Sequence, residues 1–159
     1  MAEISRTPAV AERQLVITRT FDAPRELVFK AWTERERVMF WLGPEGFECF
    51  DFEMDGRVGG AWHNHMRAPD GTIYANRGTV LEIAEPERLA FTFAWDEPDG
   101  TPGREMTVTI TLEDRDGKTE MTFTQAVFES DDDRDGHSEG WNSSFNRLDA
   151  YLASERTSA

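Results

Sequence analysis

The sequence is short of cysteine, of lysine and of positive charge. Its one cysteine, Cys49, excludes an intrachain disulfide and fits a reducing compartment. Its 17 basic residues include only two lysines, Lys30 and Lys118, and face 31 acidic ones, for a net charge of −14. Such a surface repels phosphate backbones and anionic lipids, which argues against nucleic acid and membranes as partners. No apolar run approaches the ~20 residues of a membrane span. The opening MAEISRTPAVAER has neither a basic start nor an apolar block, so no secretory signal is expected and the protein reads as soluble and cytoplasmic. The G-x-S-x-G elbow, H-E-x-x-H, the P-loop and the dinucleotide fingerprint are also missing, so no such catalytic motif organises the chain.

What is present is aromatic. Five tryptophans and eleven phenylalanines in 159 residues suit one domain with a real core. Residues 1–13 read as a polar arm and 155–159 as a frayed tail, bounding a single domain over 14–154. QLVITRTF (14–21) alternates, Leu15, Ile17 and Arg19 against Val16, Thr18 and Thr20, and predicts a first strand. In FDAPRELVFKAWT, Pro24 suits a first helical turn, with Asp22 and Glu26 near its positive end. Leu27, Val28, Ala31 and Trp32 form its apolar stripe. Thr33-Glu-Arg-Glu36 has the capping-box pattern, predicting a second short helix to Phe40-Trp41 that LGPEG (42–46) ends.

Segments of β pattern follow. FECFDFEMD (47–55) sets Phe50, Phe52 and Met54 against Cys49, Asp51 and Glu53. AWHNHMR (61–67) and IYANRGTVLEIA (73–84) come next, and LAFTFAW (89–95) puts Leu89, Phe91, Phe93 and Trp95 on one face. EMTVTITLED (105–114) turns Met106, Val108, Ile110 and Leu112 inward. After an Asp116-Gly117 hairpin signal, KTEMTFTQAVF (118–128) does the same with Met121, Phe123, Gln125 and Val127. Trp141, Phe145, Leu148 and Leu152 then fall at i, i+4, i+7 and i+11, the stripe of one long helix, with His137 a turn earlier. The class is α+β: an antiparallel sheet whose apolar face only the last helix is long enough to cover, with a groove enclosed between them.

Short motifs are spread along this frame: Phe21-Asp-Ala-Pro24 with Ala31-Trp32-Thr33, Trp41-Leu-Gly-Pro44, Asp55-Gly-Arg-Val-Gly-Gly60 before Trp62, Gly78-Thr-Val80, Pro86-Glu-Arg-Leu89 and Gly140-Trp141. In number and order they resemble the START-like, helix-grip (SRPBCC) superfamily over residues 14–152. The closer resemblance is to its branch of homologues of the C-terminal domain of the heat-shock-protein-90 ATPase activator. Leu42 departs from the pattern, which usually repeats Trp after Trp41. The resemblance implies a seven-stranded antiparallel sheet curled around the C-terminal helix, two short helices after strand one, and an internal cavity. Small single-domain members resemble hydrophobic-ligand binders, and wider relatives include cyclases and hydrolases. The eukaryotic activators carry a separate N-terminal chaperone-binding domain that a 13-residue arm cannot supply, so chaperone binding is not expected.

Candidate sites are weighed on this frame. His63 and His65 share a strand face and suggest a metal pair, but Trp62 and Met66 are the large apolar residues of that strand. If those two face the cavity with Asn64, the histidines face water, and no carboxylate or thiol is placed by sequence as a third ligand. A bulge at Gly59-Gly60 would reverse the phase. No metal and no cofactor are expected. Asp131-x-Asp133-x-Asp135-Gly136 copies the start of a calcium loop but has Asn142 where the bidentate Glu belongs. Cys49, sharing a face with Asp51 and Glu53, reads as inert. The expected ligand contacts are Trp62, Asn64, Met66, Phe93, Trp95, His137 and Trp141, around a small apolar or aromatic molecule. Catalysis through His137 ranks below binding for want of a placed acid–base partner. A chaperone-associated interaction module ranks lower still, and homodimerisation is left open.

Overall fold

Pro24 starts the first helix and the Asp116-Gly117 hairpin closes the last two strands, so the punctuation of the sequence recurs in three dimensions. The computed structural model describes residues 13–158. Strand β1 (Leu15–Phe21) leads into helices α1 (Arg25–Thr33) and α2 (Arg35–Trp41). Then come β2 (Glu48–Met54), β3 (Ala61–Arg67), β4 (Ile73–Ala84), β5 (Arg88–Trp95), β6 (Met106–Arg115), β7 (Lys118–Ala126) and the long helix α3 (Asp131–Ser158). The strands form one antiparallel sheet in the order β1-β7-β6-β5-β4-β3-β2, which leaves β1 and β2 at the edges. Among the described residues, no helix is long and apolar enough to cross a membrane.

The core sits between the sheet and α3. Trp141, Phe145, Leu148 and Leu152 are all buried, and Phe123 of β7 packs on Trp141 and Phe145 at ring separations of 4.6 and 5.4 Å. Burying four such side chains contributes about 6–12 kcal/mol as an upper bound. Polar ties set the helix in place. Arg19 of β1 donates to the Asn142 carbonyl at 3.0 Å, and Arg37 of α2 reaches Tyr151 at 3.0 Å and Glu155 at 2.7 Å. Arg147 holds the carbonyls of Gly43 and Pro44 at 2.7 and 3.1 Å, while the Gly43 N–H donates to Ser144 Oγ. Gly43 itself has φ +108, a conformation that only glycine adopts without strain.

The structure departs from the sequence reading in three places. A bulge at Phe50 breaks the alternation of β2: Cys49 and Phe52 both turn inward, and Phe50 lies outside under the Arg67 guanidinium, 4.5 Å from its ring centre. The capping box does not form; Glu34 is the N-cap, and the Thr33 hydroxyl donates to Phe29 O at 3.1 Å. β7 ends at Ala126, so Phe128 rather than Val127 enters the core. α3 runs through Ser158. Of the proposed arm, residues 1–12 lie outside the described residues, and Arg13 is already tied to the body through its carbonyl, which accepts from Phe128 N–H at 3.0 Å.

Candidate functional site

Between the concave face of the sheet and α3 lies a cavity of about 820 Å³, the size of small-molecule sites. β3 supplies Trp62, Asn64 and Met66, which alternate inward while Ala61, His63, His65 and Arg67 do not. The phase inferred from Trp62 and Met66 is the one observed. β5 adds Phe91, Phe93 and Trp95, and α3 adds His137 and Trp141. All seven residues read from the sequence as ligand contacts line this one cavity. The helices α1 and α2 close one end with Trp32 and Trp41, whose rings meet edge to face at 4.8 Å.

Glycine makes the wall at Trp62 possible. Gly78 lies opposite Trp62 on β4, and a Cβ there would stand 1.8 Å from Thr92 O and 2.6 Å from the Trp62 indole nitrogen. Without it, the indole N–H donates to Thr92 O at 2.8 Å. Trp62 then packs edge to face on Phe91 at 5.1 Å.

Buried polar groups in the cavity wall are almost all paired. The Cys49 thiol donates to Asn64 Oδ1 at 3.4 Å, and Asn64 Nδ2 donates to Asn76 Oδ1 at 2.8 Å. Cys49 thus faces inward, away from the carboxylates of Asp51 and Glu53; burial, more than the charge of Asp51, pushes its thiol up to about 11. Trp41 donates to Ala31 O at 2.9 Å, Trp141 to Gln125 Oε1 at 2.8 Å and Trp95 to His137 Nε2 at 2.9 Å. Trp32 is the exception: the residue is 95% buried, it lines the cavity, and its indole N–H has no partner among the described residues. A buried donor without an acceptor is costly, so this one marks a place where an acceptor would be stabilised.

His137 is fixed by its neighbours. An indole N–H only donates, so His137 Nε2 carries no proton, and Nδ1 donates to Asp133 O at 2.9 Å. Both ring nitrogens are engaged, and the Asp133 carboxylate lies 3.5 Å from Nδ1 on the same side as the carbonyl it bonds. Asp131, Asp133 and Asp135 lie in the first turns of α3, so the calcium-loop pattern is helix here. The cavity rim carries Asp96, Glu97, Asp132 and Asp133. Arg77 pairs with Asp96 at 3.0 Å, which leaves the rim negative.

Outside the cavity, His63 and His65 are half-exposed on the convex face, as the phase of β3 requires. They are not simply solvated. Asp51 of β2 pairs with His65 across the ladder, and its Oδ2 lies 2.9 Å from His63 Nε2 and 3.0 Å from His65 Nδ1. The expectation that no carboxylate reaches these histidines is corrected by strand register. Burial opposes ionisation of Asp51, but hydrogen bonds from Arg35, His65 and His63 together hold its carboxyl below the ordinary range.

Sequence reasoning missed Trp32, Asn76 and Ser144. Trp32 fits a helical core stripe and gives no other signal. Asn76 is legible only from register, because it stands directly across from Asn64.

A curved antiparallel sheet gripping a C-terminal helix around an apolar cavity defines a START-like, helix-grip domain. The family described as Activator of Hsp90 ATPase homolog 1-like protein matches over residues 22–153, and the chain belongs to it. Solved structures agree. The AHSA1 protein from Silicibacter pomeroyi is 28% identical over 89% of this chain and 99% of its own, with a TM-score of 0.81. A protein from Chromobacterium violaceum is 29% identical over 87% and 96%, with a TM-score of 0.78. One from Arthrobacter aurescens, solved in solution, is 27% identical over 91% and 88%, with a TM-score of 0.81. No curated protein matches.

Proposed function

We propose that the protein binds a small, largely apolar or aromatic molecule, neutral or cationic and bearing one hydrogen-bond acceptor, between the sheet and α3. The observation that carries this reading is the cavity of about 820 Å³ walled by aromatic side chains, with, among the described residues, a single unpartnered indole N–H at Trp32. Trp62, Met66, Phe93, Trp95 and Trp141 act as walls, and Asn64 is a polar contact. His137 holds Trp95 in place and is itself within reach of a ligand entering past the rim. The acidic rim disfavours carboxylates and sulfonates. Binding ranks above catalysis because both nitrogens of His137 are committed to hydrogen bonds.

The test uses two fluorescent probes and one variant. Neutral N-phenyl-1-naphthylamine is expected to bind saturably, near one per chain, and to quench tryptophan emission. Anionic 8-anilinonaphthalene-1-sulfonate is expected to bind more weakly, with the gap narrowing as salt screens the rim. Gly136 lines the cavity, and a Cβ there meets nothing within 4 Å. Gly136→Leu therefore intrudes on the ligand's space while favouring the helix by about 0.5–1 kcal/mol. It should weaken the neutral probe at least tenfold without lowering the melting temperature. Equal probe affinity in wild type and variant would refute the assigned cavity.

A further inference from the structure

The convex face of the sheet, remote from the cavity, carries a second arrangement. We propose that Asp51, His63 and His65 form a binding site for a divalent first-row transition ion of the zinc or nickel class. The three donor atoms, Asp51 Oδ2, His63 Nε2 and His65 Nδ1, lie within 4.8 Å of one another, and both imidazoles converge on the same carboxylate oxygen. Ligands bound to one tetrahedral ion at ~2.1 Å stand ~3.4 Å apart. The donors therefore need to move by about an ångström or less to close on a cation, and each is a side chain that can give way on an open face. Two imidazoles and one carboxylate suit zinc, nickel, cobalt or copper better than magnesium or calcium, which prefer all-oxygen sites.

The surroundings support the three ligands. Arg35 donates to Asp51 Oδ1 at 3.1 Å and to Phe52 O at 2.9 Å, which fixes the carboxylate with Oδ2 toward the rings. The same guanidinium is a positive charge beside the site and opposes the ion. Glu53, opposite His63 in the ladder, offsets it, while Asp55 beside the same cleft is paired with Arg57 at 2.8 Å. Phe50, turned outward by the bulge, packs beside the His65 ring at 6.0 Å and limits its swing. Side-chain exposures of 40% for His63, 39% for His65 and 30% for Asp51 leave the ion's remaining positions open to water or a small ligand. Binding exchanges two hydrogen bonds to Asp51 for three metal–ligand bonds. Each imidazole that had donated from its ligating nitrogen carries that proton on its other ring nitrogen, by way of solvent.

The test is calorimetry on metal-stripped protein with any polyhistidine tag removed, titrated with zinc, nickel and, as a hard-cation control, magnesium. One equivalent of zinc or nickel is expected to bind and magnesium is not. The double variant His63→Ala/His65→Ala, and separately Asp51→Asn, should each weaken binding more than about tenfold, since even residues that only support a metal ligand cost that much. Far-ultraviolet circular dichroism checks that the variants are folded. With copper as the probe, electron paramagnetic resonance of the wild type should show hyperfine coupling to two imidazole nitrogens. That signature does not depend on any variant folding. No saturable binding, several weak equivalents as an acidic surface takes up, or affinity unchanged in the histidine variant would each overturn the site.

Discussion

Trp32 and Trp41 offer a matched pair of perturbations. Their rings touch, both are buried, and they differ in one respect: Trp41 donates to Ala31 O at 2.9 Å, while the Trp32 indole N–H is unpaired. Replacing either with Phe removes the same atoms and a similar share of packing. In Trp41→Phe the hydrogen bond goes too, at ~1 kcal/mol, and the Ala31 carbonyl loses that donor. In Trp32→Phe an unsatisfied donor is removed, which relieves ~1–3 kcal/mol of desolvation cost. Trp41→Phe should therefore be the more destabilising by about 2–4 kcal/mol, or ~4–16 °C in melting temperature for a chain of this size. Urea denaturation of both variants, with slopes compared to confirm a common unfolding reaction, reads the difference directly. The ligand arm runs the other way. Trp32→Phe should lower affinity for a neutral acceptor-bearing aromatic about tenfold, the worth of one hydrogen bond. If the two variants lose equal stability, the Trp32 N–H is satisfied in solution and its role in ligand binding fails with it.

Four further outcomes follow from the same geometry. Gly78→Ala drives a methyl group into Thr92 O and the Trp62 indole, so it should combine overpacking with a broken buried hydrogen bond and cost ~2–6 kcal/mol; a loss below about 1 kcal/mol in chemical denaturation would contradict the packing of Trp62. Cys49, with its thiol raised to about 11, should be about a thousandth ionised at pH 8 against roughly a quarter for a free thiol, so native protein should react with iodoacetamide at least ~100-fold more slowly than unfolded protein. Because the folded value is the raised one, the thiol's contribution to stability is full below ~8.5 and is lost as pH rises from there through about 11; Cys49→Ser, which lacks that titration, should show a flatter stability profile over this range. Arg37→Ala removes the ties from α2 to Tyr151 and Glu155, and should cost about 1 kcal/mol in thermal unfolding, the modest value of a partly exposed network.

The inner face of β3 was legible because its residues have no alternative partner environment. Trp62 and Met66 are too large and apolar to face water, and a period of two then fixes Asn64 beside them and the histidines opposite. The stripe of α3 was legible for a similar reason: four apolar side chains at helical spacing admit one buried face. β2 was not. Both phases offer apolar residues to the core, so alternation alone cannot choose between Phe50 and Cys49, and a bulge satisfies Cys49 and Phe52 at once. Neither the unpaired N–H of Trp32 nor the pairing of Asn64 with Asn76 has a sequence signal, because each depends on distances between elements.

Register explains why the strand that carries the two histidines serves both faces of the sheet. One strand, Ala61–Arg67, lends its inward residues to the cavity and its outward ones to a carboxylate on its neighbour. The link between them is the Phe50 bulge. Anchored at Cys49 opposite Met66, an unbroken β2 would set Asp51 across from Asn64, on the cavity side, and Phe50 across from His65. The extra residue moves Asp51 to the histidine face and returns Phe52 to the cavity wall, so a single irregularity keeps a charge out of the apolar site and completes the three-donor cluster. Deleting Phe50 removes the bulge without moving either register, because Asp51 then follows Cys49 directly and stays across from His65, with Phe52 across from Asn64; both neutral-probe binding and metal binding should survive. Loss of either, in a variant that circular dichroism shows to be folded, would mean that register alone does not set the two faces and that Phe50 itself is needed through its packing on His65 and Arg67.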